Sequence, residues 1–221
     1  MTTKWHGRLA RAFRFETRIT GGPPVPRMWP IVISFAALIA IAGVGVWWRW
    51  FQTYHLAAVD KGVLYRDGNR GPREFVNMVR IVKPKTIVSL VDDSEIADRE
   101  KPEFIAEIRY AKDHRISIER IPMKLGGWPT SGDVRRFLDI ATDKNRQPVL
   151  VHCAQGVRRT GMLVAAYQES ILGYDKQRTK DSILRFGHSD RSIGDVKRFI
   201  DVYDPAKREV TQELAMSKEE T

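Results

Sequence analysis

The longest apolar stretch of the chain lies near its N-terminus. Residues 31–48 run for 18 positions without a charged side chain, close to the roughly 20 residues that a helix needs to cross a bilayer core. Trp29 stands at one end and Trp47 and Trp48 at the other, and indole rings favour the interface between membrane and water. The pattern predicts one transmembrane helix over residues 29–51, kept as an anchor because no small-residue cleavage site follows it.

Beyond this stretch, short apolar runs alternate with segments of helical periodicity. The predicted strands are 63–65, 86–91, 116–123 and 149–151, and the predicted helices are 72–82, 94–114, 133–143, 160–172, 175–186 and 192–203. This alternation predicts an α/β domain over residues 55–205, with a mainly parallel sheet of four to five strands flanked by helices. In the long helical run, the residues expected on the buried side are Ile96, Phe104, Ile105, Ile108 and Tyr110.

The segment that carries the candidate chemistry joins the last predicted strand to a buried helix. It contains Cys153, the only cysteine of the chain, and Arg159 six positions later. In a parallel sheet, ligands bind at the carboxyl ends of the strands, where this segment lies. Backbone N–H groups and the dipole of the following helix favour an anion of phosphate size there.

The same surroundings change the chemistry of the Cys153 thiol. A free cysteine has a pKa of about 8.5, and a helix N-terminus or a nearby cation lowers it to about 3.5–7.5. We therefore expect a thiolate nucleophile at neutral pH. Gly156 allows the backbone to turn tightly, and the planar guanidinium of Arg159 can hold two phosphate oxygens at once.

From His152 to Gly161 the chain resembles the His-Cys-x5-Arg-Thr-Gly loop of the protein tyrosine phosphatase superfamily, in its dual-specificity-like branch. The resemblance implies that Cys153 attacks phosphorus to form a cysteinyl-phosphate and that Arg159 binds the phosphoryl oxygens. It also implies that Thr160 hydrogen-bonds the sulfur and that His152 orients the loop. The implied phosphate-binding residues are Ala154, Gln155, Gly156, Val157, Arg158 and Arg159.

The general acid of this family is an aspartate upstream of the cysteine, and here the sequence departs from the pattern. Lys124 follows the third predicted strand, residues 116–123, at the place where many dual-specificity members carry the aspartate. The segment Trp128-Pro129-Thr130 is similar to the Trp-Pro-Asp loop of the tyrosine-specific branch, but threonine replaces the aspartate. Lys124 is instead a candidate for contact with phosphate or substrate.

Three aspartates are candidates for the missing acid. Asp133 is the first of them, although it or Ser131 equally suits the N-terminal cap of the helix that begins there. The alternatives are Asp92 and Asp93, directly after the second predicted strand, residues 86–91. A general acid is worth about 10²–10⁴ in rate, so its identity affects the expected activity strongly.

The formal net charge of +10 is unevenly distributed along the chain. The basic tail, residues 1–28, carries six Lys and Arg residues and one acidic residue, Glu16. Its net charge of +5 is half of the charge of the whole chain. This placement favours an anionic membrane surface over nucleic acid as partner. Residues 4–18 suit either a basic amphipathic helix on lipid or a disordered tail. Counted over the whole tail, the charges place the N-terminus in the cytoplasm; counted within about 20 residues of the apolar stretch, the two sides are equal.

The remaining composition restricts cofactors. With one cysteine and five scattered histidines, we expect no metal site, and the implied chemistry needs no other cofactor. Residues 206–221 mix Lys, Arg and Glu without an apolar face, which predicts a flexible charged tail.

The sequence thus predicts a cysteine-dependent phosphatase of phosphomonoesters. Members of the superfamily that accept phosphoinositides tend to have a more basic loop, so protein phosphotyrosine, as in dual-specificity enzymes, is the leading substrate. The apolar stretch keeps a membrane phospholipid, a phosphoinositide or a glycerophosphate-type lipid, as the alternative. The uncertain acid leaves a phosphate-binding pseudophosphatase as a third possibility.

Overall fold

A computed structural model of the chain describes residues 28–187 and 190–211. The chain divides into two compact units, Met1–Gly45 and Val46–Thr221. Most of the predicted basic tail lies outside the described residues, as does the predicted charged tail from residue 212 onward.

The apolar stretch forms one helix, α1, over Trp29–Phe51. Its apolar side chains from Trp29 to Trp48 are exposed. Among the described residues, this is the one helix whose length and composition suffice to cross a membrane. An anchor and a signal sequence both fit these properties.

The second unit alternates strands and helices, as predicted. Its elements are β1 (Ala57–Asp60), β2 (Leu64–Gly68), α2 (Pro72–Val82), β3 (Thr86–Ser89), α3 (Asp93–Ala97), α4 (Pro102–Asp113), β4 (Ser117–Arg120), α5 (Ser131–Thr142), β5 (Val149–Cys153), α6 (Arg158–Ser170), α7 (Lys176–Leu184), α8 (Asp190–Val202), β6 (Tyr203–Asp204) and β7 (Glu209–Val210).

The sheet has five strands in the order β1-β2-β5-β3-β4. All neighbours are parallel except β1 and β2, so the predicted fold class is confirmed. The central strand β5 is buried along its whole length, and α6 packs on one face of the sheet with Met162 to Tyr167 inaccessible to solvent. The sheet therefore places Cys153, the last residue of β5, at its carboxyl edge.

The helical run predicted over 94–114 is two helices, α3 and α4. Pro102 causes the break, because the residue before a proline avoids the helical region and proline itself suits a first helical position. The buried face of α4 also differs from the prediction. Ile105 and Ile108 are exposed, whereas Glu107 is buried. Its burial is tolerated because His152 and Asn69 are hydrogen-bond partners of its carboxylate.

Two ends of elements differ as well. Helix α5 is capped by Thr130, not by Ser131 or Asp133. The tail predicted from residue 206 begins as a hairpin instead, in which β7 pairs with β6 and Val210 is buried. A single apolar residue among charges gives too weak a pattern for sequence reasoning to detect such a short strand.

Candidate active site

Residues 154–157, called the cysteine loop below, connect β5 to α6. Gly156 has a φ of +66°, a left-handed conformation that glycine adopts without strain. A Cβ atom at this position would lie 2.4 Å from the carbonyl oxygen of Asp67 on β2. The loop therefore turns tightly and packs against the sheet more closely than any other residue type allows.

Donors outside the loop occupy its carbonyl oxygens. Arg66 Nη2 donates to the carbonyl of Gly156 at 2.5 Å, and His55 Nδ1 donates to the carbonyl of Gln155 at 2.9 Å. With these carbonyls turned outward, the N–H groups of the loop are free to face the sulfur. The amide of Gly156 does so, donating to Cys153 Sγ at 3.2 Å.

The first turn of α6 adds further donors. Its N-cap is Val157, whose side chain makes no capping hydrogen bond, so the orphan amides of this turn remain available to an anion. Burial raises the pKa of the Cys153 thiol, but the charge of Arg159 and hydrogen bonds from Thr160 and Gly156 outweigh it and lower the pKa below its usual value. The structure thus brings Cys153, Arg159 and Thr160 together as the sequence predicts.

Arg159 is held by a carboxylate that sequence reasoning missed. Its Nη1 donates to Glu95 Oε2 at 2.5 Å and its Nη2 donates to Glu95 Oε1 at 3.1 Å. Nη1 also donates to the carbonyls of Leu90 and Met123. Both charged side chains are buried, at 5% and 4% exposure. The guanidinium is therefore fixed in one orientation before any substrate arrives.

The only signal for Glu95 in the sequence is its place in a helix-capping pattern. Asp92 and Glu95 form a capping box at the start of α3: Asp92 accepts from the amide of Ser94, and Glu95 Oε2 accepts from the amide of Asp92 at 3.1 Å. The Asp-x-x-Glu spacing is typical of a helix start. It does not reveal that the glutamate reaches Arg159, because that contact is 64 positions away.

His152 belongs to a buried polar cluster on the face of β5 opposite to the Cys153 side chain. Its Nε2 lies 2.9 Å from Glu107 Oε1, and Glu107 Oε2 accepts from Asn69 Nδ2 at 2.7 Å. The backbone N–H of Asn69 donates to the carbonyl of Cys153 at 3.1 Å. Burial lowers the pKa of His152, but Glu107 and Asp67 outweigh burial and raise it. This cluster ties the end of β5 to β2 and α4.

The side chain of Arg158 is engaged away from the cysteine loop. Its Nε donates to Asp195 Oδ2 at 2.7 Å, and its Nη1 and Nη2 donate to the carbonyls of Gly127 and Gly126 at 3.1 and 2.5 Å. Of the residues predicted to bind phosphate, Arg158 thus has its backbone amide, and not its guanidinium, left for that purpose.

The structure gives each candidate acid another partner. Asp133 Oδ2 accepts from the amide and the hydroxyl of Thr130 at 2.9 and 2.7 Å. Asp93 pairs with Arg120. For Asp92, the hydrogen bond from the Ser94 amide lowers the pKa, and the nearby charges of Lys124 and Arg159 lower it further. A lowered pKa keeps a carboxylate ionised, which opposes a role as proton donor.

Comparison with known proteins agrees with this geometry. The sequence model of the family described as "DSP-PTPase phosphatase fused to NAD+ Kinase" (PTP-NADK) matches residues 83–209, more than half of the chain. The probable chloroplastic NAD kinase 2 of Oryza sativa subsp. japonica is 22% identical over 143 residues, which are 62% of this chain and 14% of that protein.

Two further proteins are similar in sequence or structure. Dual specificity protein phosphatase TpbA of Pseudomonas aeruginosa (strain UCBPP-PA14) is 27% identical over 126 residues, 53% of this chain and 48% of TpbA. The chain thus spans less than half of either curated relative. The core catalytic domain of the PP-IP phosphatase Siw14 from S. cerevisiae superposes with a TM-score of 0.58, at 21% identity, over 69% of this chain and 86% of that domain.

The family match covers β3 to β6 and the first residue of β7, and it includes the cysteine loop with all of α6. The chain therefore belongs to the PTP-NADK family, in the dual-specificity-like branch of the protein tyrosine phosphatase superfamily.

Proposed function

We propose that the protein hydrolyses phosphomonoesters through a cysteinyl-phosphate on Cys153. The observation that carries this proposal is the position of a buried thiol at the uncapped N-terminus of α6, beside the fixed guanidinium of Arg159. These surroundings lower the pKa of the thiol. A buried thiol without such partners has a raised pKa and is inert.

The proposed reaction has two steps. The Cys153 thiolate attacks phosphorus, so that an S–P bond forms while the P–O ester bond breaks and the leaving oxygen takes up a proton. Water then attacks phosphorus, which releases inorganic phosphate and restores the thiolate. Arg159 and the loop amides stabilise the charge on the equatorial oxygens in both steps, and Thr160 stabilises the departing sulfur.

We propose Asp133 as the donor of the proton, which requires it to exchange its hydrogen bonds with Thr130 for one with the leaving oxygen. Asp133→Asn should then lower kcat at least about 10²-fold on alkyl phosphates, and much less on aryl phosphates, whose leaving oxygen needs little protonation. Steady-state rates on both ester types measure this difference.

Thr130→Ala is the matched control for Asp133→Asn. It breaks the same capping box, at a cost of about 0.5–2 kcal/mol of stability, but it keeps the carboxylate. If the two variants behave alike on alkyl phosphates, Asp133 is only the capping partner of Thr130 and the acid lies elsewhere.

Two substrate classes fit the proposed activity. Protein phosphotyrosine, with phosphoserine or phosphothreonine as in dual-specificity enzymes, is supported by a cysteine loop that carries no basic side chain, while Arg158, the residue directly after it, is engaged by Asp195. The name of TpbA describes such a protein phosphatase. Siw14 is described as a PP-IP phosphatase, so inositol pyrophosphates belong in any substrate panel.

A membrane phospholipid is the second class, and α1 supports it. We propose that α1 anchors the protein in a membrane, as its length and exposed apolar surface favour. An anchored phosphatase meets lipid headgroups at a high local concentration.

Hydrolysis of an aryl phosphate by the full chain in detergent tests the proposed activity. We expect turnover with a burst of about one phenol per Cys153, because an aryl leaving group departs without strong acid assistance. A chain that binds inorganic phosphate but shows neither burst nor turnover would be a phosphate-binding pseudophosphatase.

A further inference from the structure

A tight turn with an apolar tip follows β4. The amide of Gly127 donates to the carbonyl of Lys124 at 3.0 Å, and Gly126 has a φ of +82°, as the third position of a type II turn requires. Leu125 occupies the second position, at the tip, and is 70% exposed. Residues 124–127 are called the rim turn below.

The rim turn borders the active site. Met123, the residue before it, accepts from Arg159 Nη1 through its carbonyl at 3.1 Å. Arg158, the first residue of α6, donates to the carbonyls of Gly126 and Gly127. The turn is thus attached to Arg158, and the residue directly before it is attached to Arg159.

Contacts on its far side also fix the rim turn. The ring of Trp128 packs edge-on against Phe199 of α8 at 5.9 Å, and Pro129 is buried. The exposed position of Leu125 is therefore built into the fold by several hydrogen bonds and a ring contact. Exposure of a leucine side chain to water is unfavourable, and contact with an apolar surface would lower its free energy.

The side chains of the rim turn suit an interface between lipid and water. Among the described residues that follow α1 in the chain, four large apolar side chains are exposed. Leu125 is the most exposed of them, since Ile81, Ile105 and Ile108 are 44%, 46% and 39% exposed. Lys124 stands beside it, also exposed. An apolar side chain next to a cation matches the acyl boundary and the anionic headgroups of a membrane.

The chain connection brings the end of α1 near the cysteine loop. Two residues separate Phe51, where α1 ends, from Tyr54, so their Cα atoms lie at most roughly 11 Å apart. The carbonyl of Tyr54 accepts from the amide of Gly68, and His55 Nδ1 donates to Gln155 of the cysteine loop. A residue only four positions after the end of α1 thus contacts the cysteine loop.

We infer that the rim turn contacts the membrane and that the substrate is the phosphomonoester headgroup of a lipid in that membrane. This inference rests on the proposed function. Leu125 inserts at the acyl boundary beside the substrate, Lys124 binds an anionic group next to the phosphate that is removed, and the cysteine loop takes that phosphate. The leaving group is the lipid alcohol.

The test compares Leu125→Ser with the original chain, both reconstituted at full length in phosphatidylcholine vesicles that contain phosphatidic acid. We expect kcat/KM for phosphatidic acid to fall about tenfold or more, because the apolar contact at the interface is lost. The kcat/KM for soluble p-nitrophenyl phosphate should be unchanged, because Leu125 is 70% exposed and takes no part in the hydrogen bonds that hold Cys153 and Arg159.

Ile105→Ser is the matched control, since it removes a similar exposed side chain from α4 and should leave both rates unchanged. Lys124→Gln should also slow the vesicle reaction, with an effect that shrinks at high salt. Unchanged vesicle rates in Leu125→Ser, or hydrolysis of a phosphotyrosine peptide but not of phosphatidic acid, would overturn the inference. Failure of the original chain on p-nitrophenyl phosphate would instead overturn the proposed function.

Discussion

We expect Cys153→Ser to lower the hydrolysis of every phosphomonoester at least about 10⁴-fold, the scale seen when an enzyme loses its nucleophile. The hydroxyl of serine stays protonated in surroundings that ionise a thiol, so the attack on phosphorus fails. Phosphate binding should survive, because the loop amides and Arg159 are untouched. Steady-state kinetics with an aryl phosphate and calorimetric titration with inorganic phosphate measure the two effects.

The single cysteine makes this variant easy to control. Cys153 is the only thiol of the chain, so a thiol assay verifies the substitution and excludes contamination by the original protein. Residual turnover within tenfold of the original chain would show that another group attacks phosphorus, and loss of phosphate binding would show that the serine disturbs the loop.

The second large effect is expected for Arg159→Lys. Lysine keeps the charge but cannot hold two phosphate oxygens and both oxygens of Glu95 with one planar group. Since removing a single donor to a transition-state oxyanion costs about 10²–10³ in rate, we expect kcat/KM to fall by at least that factor. Kinetics on an aryl phosphate measure it, and thermal unfolding measures the accompanying loss of stability.

Arg135→Lys on the exposed face of α5 is the matched control. Arg135 is 48% exposed, and its nearest carboxylate, on Glu209, lies 3.8 Å away, an exposed pair of small energetic value. The control should retain full activity and stability. If Arg159→Lys did the same, the guanidinium would have no special part in binding phosphate.

The region around Cys153 was predictable because local signals agree there. Apolar residues before the cysteine, glycine in the loop and a buried helix after it specify a strand, a turn and a helix without reference to distant parts of the chain. The parallel sheet then places the loop at its carboxyl edge. Sequence alone therefore placed Cys153, Arg159 and Thr160 in one candidate site, and the structure brings the three residues together.

The partners that orient this site could not be predicted, because they depend on contacts between distant segments. Glu95 reaches Arg159 across 64 positions and Glu107 reaches His152 across 45. A buried glutamate on a helix with two exposed isoleucines runs against the expected apolar pattern. Burial of a charge is favourable only when a partner is present, and the sequence of α4 does not contain that partner.

The strand β1 escaped prediction for a different reason. It is short, it carries no strictly alternating pattern, and it pairs antiparallel with β2 at the edge of a parallel sheet. Edge strands need fewer apolar residues than central ones, because one of their sides faces solvent. The segment before β1 nevertheless matters for the site, since it contains His55.

The proposed mechanism requires that the sulfur of Cys153 receives the phosphoryl group. Its most direct test is rapid acid quenching of the full chain during turnover of an excess of aryl phosphate, followed by mass spectrometry of the peptide that contains residue 153. We predict one phosphoryl group on Cys153 within the first turnover and none in Cys153→Ser. Rapid release of phosphate with Cys153 unmodified at every quench time would contradict this mechanism.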